Sequence, residues 1–140
     1  METIYRKIRK TGGRLTRVRR EIVALLHHAT CLMSGADIAA ALKKHNLRPD
    51  RSTIFRTLSF LAEQGIAVKK SIAGADYFEI PRQRHDHLVC VGCKSIEKIA
   101  IAHQLTQQEK AIAKRKQFKV THHSLEFYGY CKQCRTERRP

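Results

Sequence analysis

Two Cys-x-x-Cys pairs, Cys90 with Cys93 and Cys131 with Cys134, constrain this chain more than any other feature; 37 residues separate them. Each pair makes a tight turn that aims two sulfurs at one point, and two such turns close a tetrahedral shell around a zinc ion. A shell of four sulfurs has no open coordination position, so it suits a structural Zn2+ rather than a catalytic one. Such an ion supplies folding free energy directly, which a small domain with little core needs. A redox dithiol or an iron–sulfur cluster is the other use of paired cysteines.

Once four sulfurs fill that shell, the histidines beside it are available for a second metal. His85-Asp86-His87 lies just ahead of the first cysteine pair, with Leu88 and Val89 between. In a strand, His85 and His87 leave one face and Asp86 the other. Glu79 lies six residues upstream of His85 and can add a carboxylate. Imidazole and carboxylate donors suit Zn(II), Fe(II), Mn(II) or Ni(II). His123, next to His122, is expected to pair with Asp86 on the opposite face, with His103 as a further donor. His27, His28 and His45 read as surface or backbone-contacting residues, and Cys31 as a buried, unreactive thiol.

The 140 residues allow one mid-sized domain or two small ones. Lys and Arg number 28 against 12 Asp and Glu, a formal charge of +16. Residues 1–84 hold 17 of the basic and 7 of the acidic residues. A basic surplus concentrated in a helical half points to a polyanion, most simply nucleic acid. No apolar run approaches the ~20 residues needed to span a bilayer, and no signal core follows the basic N-terminus. The expectation is a soluble, cytoplasmic protein with no membrane partner. There thiols stay reduced, which favours metal over disulfide.

Along the chain, residues 2–10 read as a basic helix ended by Gly12-Gly13. Thr16 caps a helix over 17–28, with Val18, Ile22, Val23, Leu25 and Leu26 in one stripe. Residues 30–33 read as a loop, Ser34 caps a helix over 35–45, and Asn46 closes it in the left-handed conformation. Pro49-Asp50 opens the next helix, over 51–64, and runs 66–72 and 75–80 form a hairpin around Gly74. Helices followed by a hairpin give the order of a winged helix-turn-helix. Beyond it, runs 87–91, 95–99 and 119–130 read as strands, and Thr106 with Glu109 as a capping box opening a helix to about 117. The fold class is therefore α+β: a winged-helix domain over 1–80, a hinge at 81–84, and a small α/β domain over 85–140.

In a helix-turn-helix the N-terminal part of the reading helix enters the major groove. Arg51, Ser52, Thr53, Phe55, Arg56 and Thr57 cluster there. Arg reads guanine with two hydrogen bonds, Thr touches a thymine methyl or a phosphate, and a ring packs on a base edge. Arg14, Arg17, Arg19 and Arg20, with Lys69 and Lys70 of the hairpin, would hold phosphates.

Arg14-Leu-Thr-Arg-Val-Arg19, Ser52-Thr-Ile-Phe-Arg-Thr-Leu58, His85-Asp-His-Leu-Val-Cys-Val-Gly-Cys93 and Leu125-Glu-Phe-Tyr-Gly-Tyr-Cys-Lys-Gln-Cys134 together resemble segments of the ferric uptake regulator family, over nearly the whole chain. The resemblance implies a homodimer that binds palindromic, A·T-rich operators on double-stranded DNA when a regulatory metal is loaded. By position, Cys90, Cys93, Cys131 and Cys134 match its structural zinc ligands. Glu79, His85 and His87 match three ligands of its sensing site, and Asp86 and His123 part of an additional site. Arg14, Phe55 and Arg56 match DNA-contacting positions. Leu32 stands where the family usually has a sensing-site His, with Cys31 beside it as a substitute donor. Lys98 stands at another carboxylate position, and Phe55 where Tyr is usual.

The function expected is a metal-responsive regulator, a repressor of metal-uptake genes, with Fe2+ or Zn2+ as second metal and Mn2+ a third candidate. A peroxide sensor of the same family is the neighbouring alternative; such sensors usually carry Asp where Glu79 stands. From other classes come a zinc or thiol redox protein and a zinc hydrolase or deaminase. The His-x-Glu…Pro-Cys-x-x-Cys deaminase signature is absent from the sequence, and no catalytic residues are assigned.

Overall fold

The computed structural model describes residues 1–81, 85–100, 104–121 and 125–137. It divides into two compact units, Met1–Arg82 and Gln83–Pro140. The hinge expected at 81–84 falls almost entirely on residues outside the described set.

The first unit begins with α1 (Glu2–Lys10) and α2 (Arg17–His28). Thr16 caps α2, its hydroxyl accepting from Arg19 N at 3.2 Å. A two-residue strand, β1 (Met33–Ser34), follows, then α3 (Gly35–Lys44) and α4 (Arg51–Glu63). Ser34 and Asp37 form a reciprocal capping box at α3, which satisfies two orphan donors of the first turn. Asn46 takes φ 56° and closes that helix, as its side chain permits. Strands β2 (Val68–Ile72) and β3 (Ala75–Glu79) form an antiparallel hairpin, with Ser71 opposite Asp76 and Ile72 opposite Ala75. Ala73 and Gly74 both have positive φ, the geometry of the tight turn that matches strand twist.

Met33 belongs to a strand, not a loop: β1 pairs antiparallel with β3, Met33 opposite Phe78 and Ser34 opposite Tyr77, so the hairpin becomes a three-stranded sheet of order β1-β3-β2. Two residues show no period, so only the pairing partner reveals the strand. The core of this unit joins Ile8, Ile22, Leu26, Ile38, Leu42, Leu58 and Phe78, so all four helices and the sheet contribute.

The second unit carries β4 (Asp86–Cys90), β5 (Ile96–Ile99), α5 (Gln104–Lys116), β6 (Glu126–Gly129) and α6 (Lys132–Glu137). Its sheet has the order β5-β4-β6, with β4–β5 antiparallel and β4–β6 parallel. α5 begins at Gln104, so Thr106 sits inside its first turn and is not the cap. The expected 119–130 strand is confined to 126–129 among the described residues.

The two units differ in how much apolar surface they bury. Among the described residues of the second, Val89, Cys90, Asp86 and His87 are buried, while Leu88, Ile112, Phe118, Phe127, Tyr128 and Tyr130 are exposed. Burial contributes roughly 25 cal/mol per Å², so this unit gains little from its own core. Among the described residues no helix is long and apolar enough to cross a membrane.

Candidate metal centre and nucleic-acid face

The cysteine turns sit where the central and edge strands of the second sheet end. Cys90 is the last residue of β4, whose parallel partner β6 ends opposite it at Gly129. The parallel register is what brings the two turns together, because it delivers both strand ends to one side. Cys131 follows two residues later, and α6 carries Cys134. The four Sγ atoms lie within 4.8 Å of one another, with Cys93 and Cys131 3.8 Å apart. A cation held tetrahedrally by sulfur at about 2.3 Å sets its ligands about 3.8 Å apart, so the shell fits one. No disulfide joins any of the five cysteines.

Electrostatics make the same demand. The backbone N–H of Cys131 bonds to Cys90 Sγ at 3.3 Å, and with the N–H of Cys93 it draws the Cys90 thiol down to about 6. Cys93 is also lowered, chiefly by the hydroxyl and then the N–H of Ser95. Cys134 goes the other way, up to about 12, because Cys131 lies beside it and burial adds to the cost of charge. Four crowded thiolates repel one another, and a cation removes that penalty. Gly92 was not singled out from the sequence. A Cβ there would lie 2.9 Å from Cys134 Sγ, so only glycine lets the first turn close on the second.

His85 and His87 share one side, as expected, with ring centroids 4.8 Å apart in an edge-to-face arrangement. His87 is fully buried, and His85 and Glu79 are half-buried. Asp86 is buried on the other face of the strand. His123, His122 and His103 lie outside the described residues, so the expected Asp86–His123 pairing does too.

On α4 the expected reading residues separate into two stripes. Arg51, Ser52, Phe55 and Arg56 are exposed, Phe55 at 61%, and Thr53 is half-buried. Thr57 is only 6% exposed and belongs with Ile54, Leu58 and Leu61, which corrects its placement on the reading face. It lies three residues after Ile54 and four before Leu61, on the inward stripe of the helix.

Asp50 anchors this face. Its carboxylate accepts from Thr53 N at 2.7 Å, Ser52 Oγ at 2.6 Å and Thr53 Oγ1 at 3.0 Å. The Ser52 hydroxyl, then the Thr53 N–H, draw its carboxyl down to about 2. A folded value below the unfolded one adds stability above about pH 4 that disappears as pH falls through about 2. The difference in urea midpoint between the parent and Asp50→Ala should therefore shrink across that window. A constant difference would show that the carboxylate's charge does not matter.

Arg14, Arg17 and Arg20 are exposed, whereas Arg19 is turned inward. Lys69 is paired with Asp76 at 2.7 Å across the hairpin, which draws it away from a phosphate. Asp76 is held below its usual range, first by Lys69 and then by Ser71.

The profile of the ferric uptake regulator family matches residues 10–128. The ferric uptake regulation protein of Klebsiella pneumoniae is 32% identical, over 95% of this chain and 88% of that protein. The peroxide-responsive repressor PerR of Staphylococcus epidermidis is 30% identical, over 98% of this chain and 91% of that one. The crystal structure of the Vibrio cholerae ferric uptake regulator matches with a TM-score of 0.78 and 28% identity, covering 89% of this chain and 96% of that one. Profile, sequence and fold agree over most of the length, and the chain belongs to the ferric uptake regulator family.

Proposed function

We propose that this protein is a metal-responsive transcription regulator, a repressor of metal-uptake genes, that binds palindromic operators as a homodimer. The observation that carries this reading is the exposed stripe of Arg51, Ser52, Phe55 and Arg56 at the start of α4, opposite a packed core stripe. The first unit acts as the winged-helix DNA-binding domain. The exposed apolar residues of the second support its role in dimerisation. Cys90, Cys93, Cys131 and Cys134 hold a structural Zn2+, which lends the second unit the stability its core lacks.

The regulatory ion, Fe2+ or Zn2+ with Mn2+ as third candidate, draws on Glu79, His85 and His87, with Asp86 and His123 in an additional site. Cys31 stands beside Leu32, where the family's His is missing, and Cys31→Ser tests whether its thiol replaces that ligand. Regulation is a population shift: metal favours the form whose two reading helices match successive major grooves, and only by its differential affinity for that form.

The test is a DNA-binding titration with Fe(II), Zn(II) and Mn(II) on protein that retains its structural zinc. Metal should tighten binding roughly 5- to 150-fold, the usual range of such coupling. His87 is fully buried, so His87→Ala would also leave a cavity; the half-buried His85 is the cleaner position. His85→Ala should abolish the metal-dependent gain and leave metal-free binding unchanged. A parental response in His85→Ala would remove that residue from the sensing site.

Peroxide sensing is the neighbouring reading, favoured by the PerR relative at 30% identity. Fe(II)-loaded protein treated with peroxide should keep His85 and His87 at unmodified mass; addition of oxygen to either would favour it instead.

A further inference from the structure

Arg19 stands apart from the other basic residues at the start of α2. Its Nη1 donates to the Arg14 carbonyl at 2.6 Å, while its own backbone N–H donates to the Thr16 hydroxyl at 3.2 Å. Its guanidinium lies over the Phe60 ring, 4.3 Å from the centroid. Its Nε is buried and has no acceptor among the described residues. Gly13 is pressed against the same ring: a Cβ there would lie 2.5 Å from Phe60 Cζ and 3.0 Å from Ile8. The loop between α1 and α2 is thus seated on Phe60, a residue of α4 that packs against the core one turn beyond Arg56. Arg14, exposed, is the residue this seat presents.

We propose that Arg19 is a positioning residue and not a phosphate contact: stacked on Phe60 and bonded to the Arg14 carbonyl, it fixes the loop so that Arg14 meets the DNA backbone in register with α4. The inference rests on the DNA-binding reading above and deepens it. Guanidinium is suited to the task because its planar fork stacks on a ring and donates in its plane at the same time. A lysine keeps the charge but can do only one of these. Phe60 carries no charge and touches DNA only through what it supports.

The test uses the full-length, zinc-retaining protein and a duplex selected in vitro by the parent. The readout is the slope of log affinity against log salt, which counts phosphates neutralised and does not depend on the fraction of active protein. Arg14→Ala should lower the slope by about 1.8, the value of two phosphates, one for each subunit of the homodimer. Phe60→Leu should lower it as much, although no charge has changed. Arg19→Lys should do the same with its charge intact, and carries the test if Phe60→Leu folds poorly. Adding Phe60→Leu to Arg14→Ala should lower the slope no further, since Phe60 acts only through Arg14, whereas independent sites add. A parental slope in Arg19→Lys or Phe60→Leu, or additivity in the double variant, overturns the proposal while the DNA-binding reading stands. An unchanged slope in Arg14→Ala overturns it through Arg14 itself. A parent that selects no duplex defeats the functional reading instead.

Discussion

Removing the metal from the four-cysteine centre should unfold the second unit and leave the first folded. Among its described residues that unit buries only two apolar side chains, Val89 and Cys90, and exposes six large ones. Structural zinc contributes an apparent ~10–16 kcal/mol in small zinc domains, against ~5–15 kcal/mol for the whole stability of an ordinary domain. Its loss therefore exceeds anything so small a core can replace. Cys131→Ser should act as chelation does, because three thiols leave the shell open and the backbone bond to Cys90 Sγ without its purpose. Hydrogen exchange followed by mass spectrometry separates the units: peptides over 86–99 and 126–137 should lose protection, while α2, α3 and α4 keep theirs. Verified zinc-free protein that melts at the parental temperature would remove the structural role assigned to the ion.

The second large effect is a contrast along one helix. Leu58 is 2% exposed and Phe55 61% exposed, three residues apart on α4. Leu58→Ala should lower the stability of the first unit by ~2–5 kcal/mol, the cost of lost transfer plus a cavity. Phe55→Ala should change stability by less than about 0.5 kcal/mol, as exposed positions do, and still weaken operator binding. Arg56→Ala should relax base preference by ~1–3 kcal/mol, the worth of a bidentate base contact. Urea midpoints and competition binding on the same preparations measure all three. If Phe55→Ala bound the operator like the parent, the stripe proposed as the reading face would be misassigned.

Much of the first unit was legible because α2, α3 and α4 each announce themselves twice, by a period and by a cap. Thr16, Ser34 and Asp50 are all small side chains with an oxygen that accepts from backbone N–H, placed just before an apolar stripe, and all three cap. Thr57 went astray because its residue type suits a DNA contact, while its spacing from Ile54 and Leu61 already placed it in the core. The cap assigned to Thr106 failed for a related reason: a capping-box pattern also occurs inside a helix, and the pattern alone does not say where the helix starts.

The cysteine spacing determined by itself that four sulfurs could meet, and the charge and helix pattern determined that the basic surplus falls in a helical half of the chain. Covalent spacing and local periodicity are written in consecutive residues, so they need no tertiary information. Only the fold decided that β4 and β6 run parallel and so deliver both cysteine turns to one end of the sheet, that Gly92 is the residue admitting their approach, and that Arg19 faces Phe60 instead of solvent. Those facts depend on which surfaces pack together across long stretches of chain. Packing is settled by the whole set of buried groups at once, and no short segment contains it.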